Sequence, residues 1–305
     1  MAQLAGAKIL MTGPTGQVAL PVARALAVDN ELWGVARFRD HQARAQLEIA
    51  GVQCVVADLA VTDFSDLPTD FDYVLNFAVA KGSNSDWDLD LAANAESIAL
   101  LVGHTRPRAF LHCSSTAVYQ HVGPQHELLE TDPLGDNHRV MFPTYSIAKI
   151  SAEVVARAVA REHNVPTTIA RLNVPYGDFG GWPAWHLEFL RGGHPISIHP
   201  ERPNLFNPIH DDDIVRMIPA LLDAASVPAT IVNWAGDPVS LEEWCAYIGE
   251  LTGLPVVFTE TDQTIGSVVV ERTRMLELLG PTEVNWRNGI SRLVAARAPD
   301  LLAAK

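Results

Sequence analysis

Short apolar segments alternate with helix-forming segments along the first half of the chain, and this alternation limits the fold more than any other feature. The segments predicted as strands are 8–12, 31–37, 52–57, 73–77, 109–114 and 167–172. They are nearly continuous apolar runs, as expected for strands that are covered on both faces. The segments between them carry apolar residues at helical spacing, so right-handed strand–helix–strand connections are expected. The pattern predicts an α/β fold with a doubly wound parallel sheet.

The pattern changes after residue 172, where a proline- and glycine-rich stretch with several aromatic residues replaces the regular alternation. The later predicted elements are helices near 212–224 and 241–252, strands at 230–234 and 255–258, and a helical end from about 269. We therefore expect a dinucleotide-binding Rossmann domain over 1–172 and a smaller, mainly substrate-binding α/β cap over 173–305. A chain of this length can bury enough apolar surface without disulfide or metal support.

The chain is acidic, because 36 Asp and Glu residues against 22 Lys and Arg residues give a formal charge of −14. This charge repels a phosphate backbone, so nucleic acid is not an expected partner. A small anionic ligand is still compatible with it, since one or two local arginines can hold such a group. The expected partner is a small molecule.

Three cysteines, Cys54, Cys113 and Cys245, contain no Cys-x-x-Cys pair, and their odd number argues against a disulfide framework. The histidines match no metal-binding spacing, so no metal site is expected. The N-terminus does not have the pattern of a secretory signal, and no apolar run of about 18 residues predicts a membrane helix. These features favour a cytoplasmic protein that does not bind a membrane.

A glycine-containing turn, TGPTGQVA at 12–19, follows the first predicted strand. Gly13 permits a tight turn, Gly16 lets the backbone approach a pyrophosphate, and Ala19 allows close packing of the helix on the sheet. Backbone N–H groups at the start of the helix then face the anion. Because the turn begins a βαβ unit, it predicts dinucleotide binding. The residues expected to contact the cofactor here are Gly13, Thr15, Gly16, Gln17 and Val18.

An arginine stands at the end of the second predicted strand, where a fold of this kind that prefers NAD usually carries Asp or Glu for the ribose 2′-hydroxyl. This chain has Arg37, followed by Phe38 and Arg39. A guanidinium suits a 2′-phosphate through charge-assisted hydrogen bonds. We therefore predict NADP(H) as the cofactor, with NAD(H) as the alternative. Asp58 and Leu59, after the third strand, are placed to meet the adenine.

Tyr145 and Lys149 open the longest helical segment and lie on one helix face because they are four residues apart. A phenol with an ordinary pKa of about 10 is a poor base at neutral pH. A neighbouring ammonium group, or the positive nicotinamide of an oxidised cofactor, favours the phenolate and lowers that pKa. Ser115, at the end of the fifth strand, can hold a substrate oxygen beside the tyrosine. The three residues together predict acid–base chemistry on a hydroxyl or carbonyl group.

Six segments in order carry a resemblance to a known enzyme family. They are TGPTGQVA (12–19), NFAVA (76–80), CSSTAVY (113–119), YSIAK (145–149), RLNVPYG (171–177) and FNPIHDDDI (206–214). Together they resemble the extended short-chain dehydrogenase/reductases, whose relatives include the NAD(P)-dependent epimerase/dehydratase group. The resemblance implies a Rossmann domain, a C-terminal substrate domain and a Ser/Tyr/Lys triad.

The resemblance gives roles to individual residues. Ser115 would be the catalytic serine and Tyr145 the acid–base residue, while Lys149 would bind the nicotinamide ribose and tune Tyr145. Asn94 falls near the helix asparagine that supports the family's proton relay, although a polar residue on a helix surface would look the same. The further cofactor contacts that the resemblance implies are Phe77, Ala78, Leu172 and Val174.

Two positions that bind phosphate in nucleotide-sugar enzymes of this family are apolar here. The asparagine of the family's strand-six motif falls on Val174, and Asn173 is displaced by one residue. In a strand, such a displacement turns the side chain to the opposite face. The arginine that pairs with the diphosphate falls on Phe206, and Arg202 could replace it only from a loop. These departures weaken the expectation of a nucleotide-sugar substrate.

Aromatic and apolar residues dominate the segment that is expected to face the substrate. The expected substrate contacts are Thr116, Tyr176, Trp182, Trp185 and Phe206, with Phe179 and Pro183 nearby. Pockets for uncharged ligands are built from such side chains. The same tryptophans could equally form the core of the small domain itself.

We therefore expect an NADP(H)-dependent oxidoreductase that interconverts a carbonyl and an alcohol on a small, largely apolar substrate. The first alternative is an NAD(P)-dependent epimerase or dehydratase that acts on a nucleotide sugar. Dehydration is the less favoured branch, because Thr116 and Ala117 stand where the family's dehydratases usually carry an Asp-Glu pair. The second alternative is a non-catalytic NADP(H)-binding regulatory protein, which the retained Ser115, Tyr145 and Lys149 disfavour.

Family members often dimerise through two helices of each subunit. Here these helices would be about 89–102 and 146–162, and the second is apolar enough for such a contact. The resemblance thus implies a homodimer.

Overall fold

The computed structural model describes residues 4–61, 64–80, 86–178 and 180–302. Its strands are β1 (Lys8–Thr12), β2 (Glu31–Ala36), β3 (Gln53–Val56), β4 (Tyr73–Asn76), β5 (Ala109–Ser115), β6 (Thr167–Leu172), β7 (Pro175–Gly177), β8 (Gly180–Gly181), β9 (Ile196–Ile198), β10 (Leu205–Phe206), β11 (Ile209–His210), β12 (Thr230–Trp234), β13 (Val239–Ser240) and β14 (Phe258–Glu260). Its α-helices are α1 (Ala19–Leu26), α2 (His41–Ile49), α3 (Trp87–Leu91), α4 (Ser97–Thr105), α5 (Tyr145–His163), α6 (Trp182–Arg191), α7 (Asp211–Asp223), α8 (Leu241–Thr252), α9 (Thr273–Leu279), α10 (Trp286–Arg297) and α11 (Pro299–Leu302).

Seven strands form the main sheet in the order β12-β6-β5-β4-β1-β2-β3. All neighbouring pairs are parallel, and Leu10 of β1 lies opposite Trp33 on one side and Val74 on the other. The strand order reverses between β1 and β4. In open α/β sheets this is the point at which ligands bind, outside the carboxyl ends of the strands. The predicted doubly wound α/β fold is confirmed.

Helices cover both faces of the main sheet because its strands are apolar on both faces. Leu111 of β5 packs in one core with residues of α1 and α7, such as Val22 and Leu221. Its neighbour Phe110 packs in another core with α4 and α5. Each large apolar side chain buried in this way contributes about 1.5–3 kcal/mol. Strand β6 is buried over its whole length, as expected for a strand inside a doubly covered sheet.

The cap has a core of its own between α6, α8 and α10. Trp244 of α8 and Leu187 of α6 are fully buried there with Ile290 of α10. However, the chain after residue 172 does not remain in the cap, because β12 pairs with β6 in the main sheet. Helix α7 likewise packs against α1 on the sheet. The boundary expected at residue 172 therefore marks only where the first cap segment leaves the sheet.

Two predicted elements differ in their details from those observed. The helix predicted over 89–102 is interrupted, since a π-helical turn, Ala92–Glu96, separates α3 from α4. The strand predicted at 255–258 is displaced to β14 and pairs with β9. Among the described segments, no helix is long and apolar enough to cross a membrane.

Candidate active site

The turn between β1 and α1 is held open toward the ends of the strands. Gly13 has φ +65°, and a Cβ atom there would lie 2.8 Å from Cα of Ala78, so only glycine fits. The Gly16 N–H donates to the Gly13 carbonyl at 3.0 Å and closes the turn. Within the described chain, no side chain caps the start of α1. Its first N–H groups therefore suit an anion such as a pyrophosphate.

A groove of about 260 Å³ runs from this turn along the ends of β2 and β3. It brings together the predicted cofactor residues Gly13, Thr15, Gly16, Arg37, Asp58, Leu59, Phe77 and Ala78. A second cavity, of about 270 Å³, adjoins it and shares Gly16 and Phe77 with it. The remaining predicted cofactor residues, Gln17, Val18, Lys149, Leu172 and Val174, line this second cavity. Groove and cavity are therefore continuous, and together they contain all the predicted cofactor residues.

Gln17 has a second role, because its side-chain Nε2 donates to the main-chain oxygen of Pro175 at 3.1 Å. The turn between β1 and α1 is thereby attached to β7 of the cap.

Arg37 extends from the end of β2 into the groove and is about half exposed. Its Nη1 lies 3.9 Å from Oδ2 of Asp58, which is a long and solvent-screened ion pair. The nearest acid along the chain, Asp40, accepts a hydrogen bond from the Ala43 N–H at 2.9 Å and so caps α2. Arg37 is therefore the first charged side chain after β2 that lines the groove.

The predicted triad meets in the second cavity. Ser115 ends β5, while Tyr145 and Lys149 lie on the first turns of α5, and all three line the cavity. A side-chain hydrogen bond joins Tyr145 to Ser115. Lys149 is almost fully buried, and its Nζ donates to the main-chain oxygen of Cys113 at 2.8 Å. The lysine is thus anchored to the end of β5, next to the serine.

The pKa of Tyr145 differs from the expectation of a lowered value. Burial raises the pKa of its phenol to about 12, and this outweighs the hydrogen bond with Ser115, which acts in the opposite direction. The ammonium group of Lys149 donates to the main-chain oxygen of Cys113, and burial remains the largest influence on the pKa of the phenol. The phenol is therefore protonated at neutral pH in this structure.

Asn94 lies inside the π-helical turn and is buried. Its Oδ1 accepts a hydrogen bond from the Ala80 N–H and its Nδ2 donates to the Ala80 carbonyl, both at 3.0 Å. Nδ2 also donates to the Asp90 carbonyl at 2.7 Å. The structure therefore places Asn94 behind the wall of the nucleotide groove, where it holds the segment that follows β4.

A row of buried polar groups lies beneath the site. Thr12 donates to Asn76 at 2.5 Å, and Asn76 is 3.0 Å from Nδ1 of His112. The N–H of Ala78 donates to Thr12 at 3.1 Å. Burial, together with the charge of Lys149, holds the pKa of His112 well below its usual range, so this histidine is neutral. The row fixes the ends of β1, β4 and β5 relative to one another.

Four of the five predicted substrate contacts line the cavity: Thr116, Trp182, Trp185 and Phe206. Tyr176 does not, because it turns into the cap core, where its hydroxyl points to the Trp286 carbonyl at 3.4 Å. Its neighbour Pro175 lines the cavity instead, as the alternation of a strand requires. Phe179 lies outside the described residues.

Other residues line the cavity that no sequence motif indicates, among them Val79, His138, Phe142 and Val268. His138 and Phe142 come shortly before Tyr145, in a segment without helical or strand periodicity. The aromatic residues close to Tyr145 were the only available signal. Their rings lie 6.0 and 6.1 Å from that of Tyr145.

The cavity carries little positive charge. Among the described residues that line it, Lys149 is the single lysine and there is no arginine. Arg202 is paired with Glu260 at 2.5 Å on the surface. Asn173 is buried, and its amide donates to the Val268 carbonyl at 2.8 Å. Neither residue is arranged to hold a phosphate group of a substrate.

Several solved structures are similar to this chain over nearly its whole length. A UDP-glucuronic acid 4-epimerase from Bacillus cereus, in complex with UDP-glucuronic acid and NAD, has a TM-score of 0.81 at 19% identity, covering 94% of this chain and 98% of that chain. MoeE5 in complex with UDP-glucose and NAD has a TM-score of 0.80 at 20% identity, covering 96% and 99%. DesIV, a dTDP-glucose 4,6-dehydratase from Streptomyces venezuelae with NAD bound, has a TM-score of 0.81 at 18% identity, covering 96% and 97%. At these identities the similarity establishes the fold.

No curated protein matches the chain. The model of one protein family, described as the NAD dependent epimerase/dehydratase family, matches residues 9–235, which include the nucleotide turn, the triad and β12. This match agrees with the resemblance that the sequence motifs carry. The chain belongs to the NAD dependent epimerase/dehydratase family.

Proposed function

We propose that the protein catalyses NAD(P)-dependent hydride transfer at a hydroxyl-bearing carbon of its substrate, with Tyr145 as the acid–base residue. The observation that carries this proposal is the meeting of Tyr145, Ser115 and Lys149 in a cavity that continues into the nucleotide groove. The cofactor, when bound, accepts or donates the hydride. Side chains of this chain orient the substrate and exchange the proton.

The residues present fit a dinucleotide. The Gly13 turn and the start of α1 would hold the pyrophosphate through their main-chain N–H groups. Ala78 approaches Gly13 too closely for any side chain, so no side chain at position 13 covers these groups. Lys149 would bind the nicotinamide ribose. Asp58 and Leu59 would contact the adenine at the far end of the groove.

Within the cavity, Ser115 orients the reacting oxygen of the substrate by a hydrogen bond. Tyr145 donates a proton to this oxygen when a ketone is reduced, and it accepts the proton when an alcohol is oxidised. With its pKa raised to about 12, the phenol is ready to donate. Oxidation requires a nearby positive charge that lowers this pKa, and an oxidised nicotinamide carries such a charge.

For the overall reaction, the comparisons support an epimerase or a dehydratase that acts on a nucleotide sugar. The family description names these two reactions. Similar structures hold NAD together with UDP-glucuronic acid or UDP-glucose. In such a reaction the sugar is oxidised and later reduced in the same site, so the cofactor is not consumed. This was the first alternative from the sequence, and the comparisons favour it over the oxidoreductase.

One observation favours a second candidate, an oxidoreductase with an uncharged substrate. The described lining of the cavity contains no arginine, and Phe206 and Val174 are apolar at two positions that bind phosphate in sugar enzymes of the family. A substrate diphosphate would then have no arginine to pair with among the described residues of this lining. An uncharged ketone or alcohol needs no such group and fits the aromatic wall formed with Trp182.

For the cofactor, we propose NADP(H) on the strength of Arg37, although the similar structures contain NAD. Arg37 lines the groove at the end of β2, and its pairing with Asp58 at 3.9 Å is weak enough to be exchanged for a phosphate.

We also propose a homodimer through α4 and α5. Three apolar side chains on these helices are exposed: Leu100 by 52%, Ile147 by 36% and Val154 by 56%. Exposed apolar groups on two neighbouring helices are typical of a buried interface.

The test is a substrate panel. The protein is incubated with NAD(H) or NADP(H) and with UDP-glucuronic acid, UDP-glucose, dTDP-glucose, cyclohexanone or cyclohexanol. Conversion of a sugar without net change in nicotinamide absorbance supports the epimerase or dehydratase, and net change with an uncharged probe supports the oxidoreductase. Tight cofactor binding without any turnover would contradict the proposal and indicate a regulatory protein. Tyr145→Phe is the inactive control.

A further inference from the structure

His138 lines the same cavity as Tyr145 and Ser115 but has no part in the mechanism given above. It lies on the connection between β5 and α5 and is half-buried. Its ring centroid is 6.0 Å from that of Tyr145 and 6.4 Å from that of Trp182. The imidazole therefore adjoins both the catalytic helix and the cap.

Asn137 fixes the position and the tautomer of this imidazole. Its Nδ2 donates to the main-chain oxygen of Thr116 at 3.2 Å, and a carbonyl can only accept, so Oδ1 of Asn137 faces the other way. Oδ1 is bonded to Nδ1 of His138, which must then carry the hydrogen. In the neutral ring, Nε2 consequently bears the lone pair and can accept a proton.

Other histidines near the site form hydrogen bonds within the protein structure. His112 is buried beneath the sheet end, His186 is hydrogen-bonded to the indole of Trp244 at 2.9 Å, and His210 accepts from the first turn of α7. Burial lowers the pKa of His112 and of His186. Of the histidines in the described ranges, His138 is the one that lines the cavity.

We propose that His138 is a second acid–base residue, which serves the carbon next to the one at which hydride is transferred. This rests on the proposed function, because oxidation of a hydroxyl to a ketone makes the C–H bonds of the neighbouring carbon acidic. Nε2 takes the proton and the C–H bond breaks, which leaves an enolate whose oxygen accepts hydrogen bonds from Tyr145 and Ser115. Return of the proton from the imidazolium, to the same face or the opposite one, restores the C–H bond without any further reactant.

The residues around His138 explain why a second group is needed. Tyr145 is already engaged with the substrate oxygen and cannot serve a neighbouring carbon at the same time. The two residues directly after Ser115 are Thr116 and Ala117, and neither carries an acid–base group that exchanges a proton at neutral pH. Asn137 attaches His138 to Thr116, so the imidazole lies close to this part of the cavity.

The first test measures hydrogen exchange with solvent in the full-length protein with bound cofactor. UDP-glucose, dTDP-glucose and cyclohexanone are the probes, in deuterated water. Any probe that is turned over should gain deuterium at the carbon next to the reacting one. In His138→Gln this exchange should fall by about 100-fold. The rate of hydride transfer, followed as the transient change in nicotinamide absorbance in a single turnover, should fall far less than the exchange.

His194→Gln is the matched control, because His194 is exposed and outside the cavity. It should leave both rates unchanged. Exchange that persists undiminished in His138→Gln would overturn the inference. A parallel loss of exchange and hydride transfer would also overturn it, since His138 would then act on the same atom as Tyr145 or only on the structure.

A second measurement requires no substrate. In cofactor-bound protein with isotope-labelled histidine, the NMR signals of His138, identified by their loss in His138→Gln, should show a hydrogen on Nδ1 and none on Nε2. Asn137→Leu should remove this preference. A hydrogen fixed on Nε2 would overturn the inference even in a protein that transfers hydride. The expected tautomer in a protein that turns over no probe would count against the proposed function, while it supports His138 as a proton acceptor.

Discussion

Thr144 donates a hydrogen bond to the buried carboxylate of Asp90 at 2.5 Å. Asp90 belongs to α3, and Thr144 immediately precedes Tyr145 at the start of α5. The main-chain oxygen of Asp90 also accepts a hydrogen bond from Asn94, which in turn holds Ala80. A continuous chain of hydrogen bonds therefore joins the wall of the groove to the residue that precedes Tyr145.

Thr144→Val should destabilise the protein and displace Tyr145. A buried hydrogen bond to a charged group contributes about 1.5–3 kcal/mol, so the free energy of unfolding should fall by that amount. We also expect kcat to fall by about tenfold, because small displacements of a catalytic group are costly. Thr105→Val is the matched control, since Thr105 bonds within its own helix, to the Leu101 carbonyl at 2.8 Å. A loss of kcat of the same size in both variants would contradict the positioning role.

Tyr145→Phe should lower kcat by about 100-fold or more in both reaction directions, since it removes the acid–base group. In the wild type, oxidation should become faster as pH rises, because the pKa of the buried phenol is raised to about 12 and the phenolate is the active form. Reduction should not gain from higher pH. Steady-state rates between pH 6 and about 10 check this, and oxidation that does not depend on pH would contradict it.

Arg37→Ala should reduce the affinity for NADP(H) by about tenfold or more and leave that for NAD(H) nearly unchanged. The reason is that a guanidinium can bind a 2′-phosphate, which NAD lacks. Calorimetric titration with both cofactors measures the difference. Arg44→Ala, on α2, is the control, because its guanidinium is paired with Glu48 at 2.8 Å. Equal losses for the two cofactors would show that Arg37 does not discriminate between them.

Arg171 and Glu153 form a buried ion pair, with each side chain only 3% exposed. Two hydrogen bonds, of 3.0 and 2.8 Å, connect them, and Ser114 donates to the same carboxylate at 2.6 Å. Either Arg171→Met or Glu153→Leu alone should cost about 3–5 kcal/mol, because the remaining charge is left unpaired. The double variant should lose less than the sum of the two. Urea unfolding measures these values, and strictly additive losses would contradict the expectation.

Asp211 makes the stability of the protein depend on pH. Burial, reinforced by the charges of Asp212 and Asp178, raises the pKa of this carboxyl to about 8. A carboxyl whose pKa is raised on folding stabilises the protein below its unfolded pKa, and this contribution is lost as pH rises through about 8. Relative to wild type, Asp211→Asn should therefore gain stability as pH rises from about 5 to 8.

For Asp212→Asn, the expected change of stability with pH relative to wild type has the opposite sign. The hydrogen bond with Arg292 lowers the pKa of Asp212, so this group stabilises the protein above its unfolded pKa and loses the effect as pH falls. Thermal unfolding at several pH values distinguishes the two variants. A difference between Asp211→Asn and wild type that stays constant with pH would contradict the raised pKa.

Regular and strongly apolar elements could be predicted from the sequence with accurate bounds. Strands β1, β6 and β12 and helix α8 begin and end where the patterns indicate, because burial on one or both faces imposes a clear periodicity. The residues predicted for the triad and the cofactor also lie together at the cavity and the groove, since each follows a strand or begins a helix at the same edge of the sheet.

Features that depend on distant pairing or on irregular backbone could not be predicted in this way. The place of β12 beside β6 is decided by long-range pairing, which leaves no local pattern. The π-helical turn around Asn94 inserts one residue between α3 and α4, and no local sequence pattern predicts it. His138 lies on a segment without periodicity, and the inward orientation of Tyr176 depends on a three-residue strand, β7.

The return of the chain to the main sheet at β12 limits how the cavity can open. One cap segment leaves the sheet after β6, near Leu172, and the other leaves after β12, near Trp234. The chain also returns to the sheet core with α7 and again with α9, so the cap is connected to the sheet at several places. These connections oppose a movement of the cap away from the sheet as a whole, so we expect the cavity to open only by small rotations of the cap, which change the separation of Trp182 and Ser115.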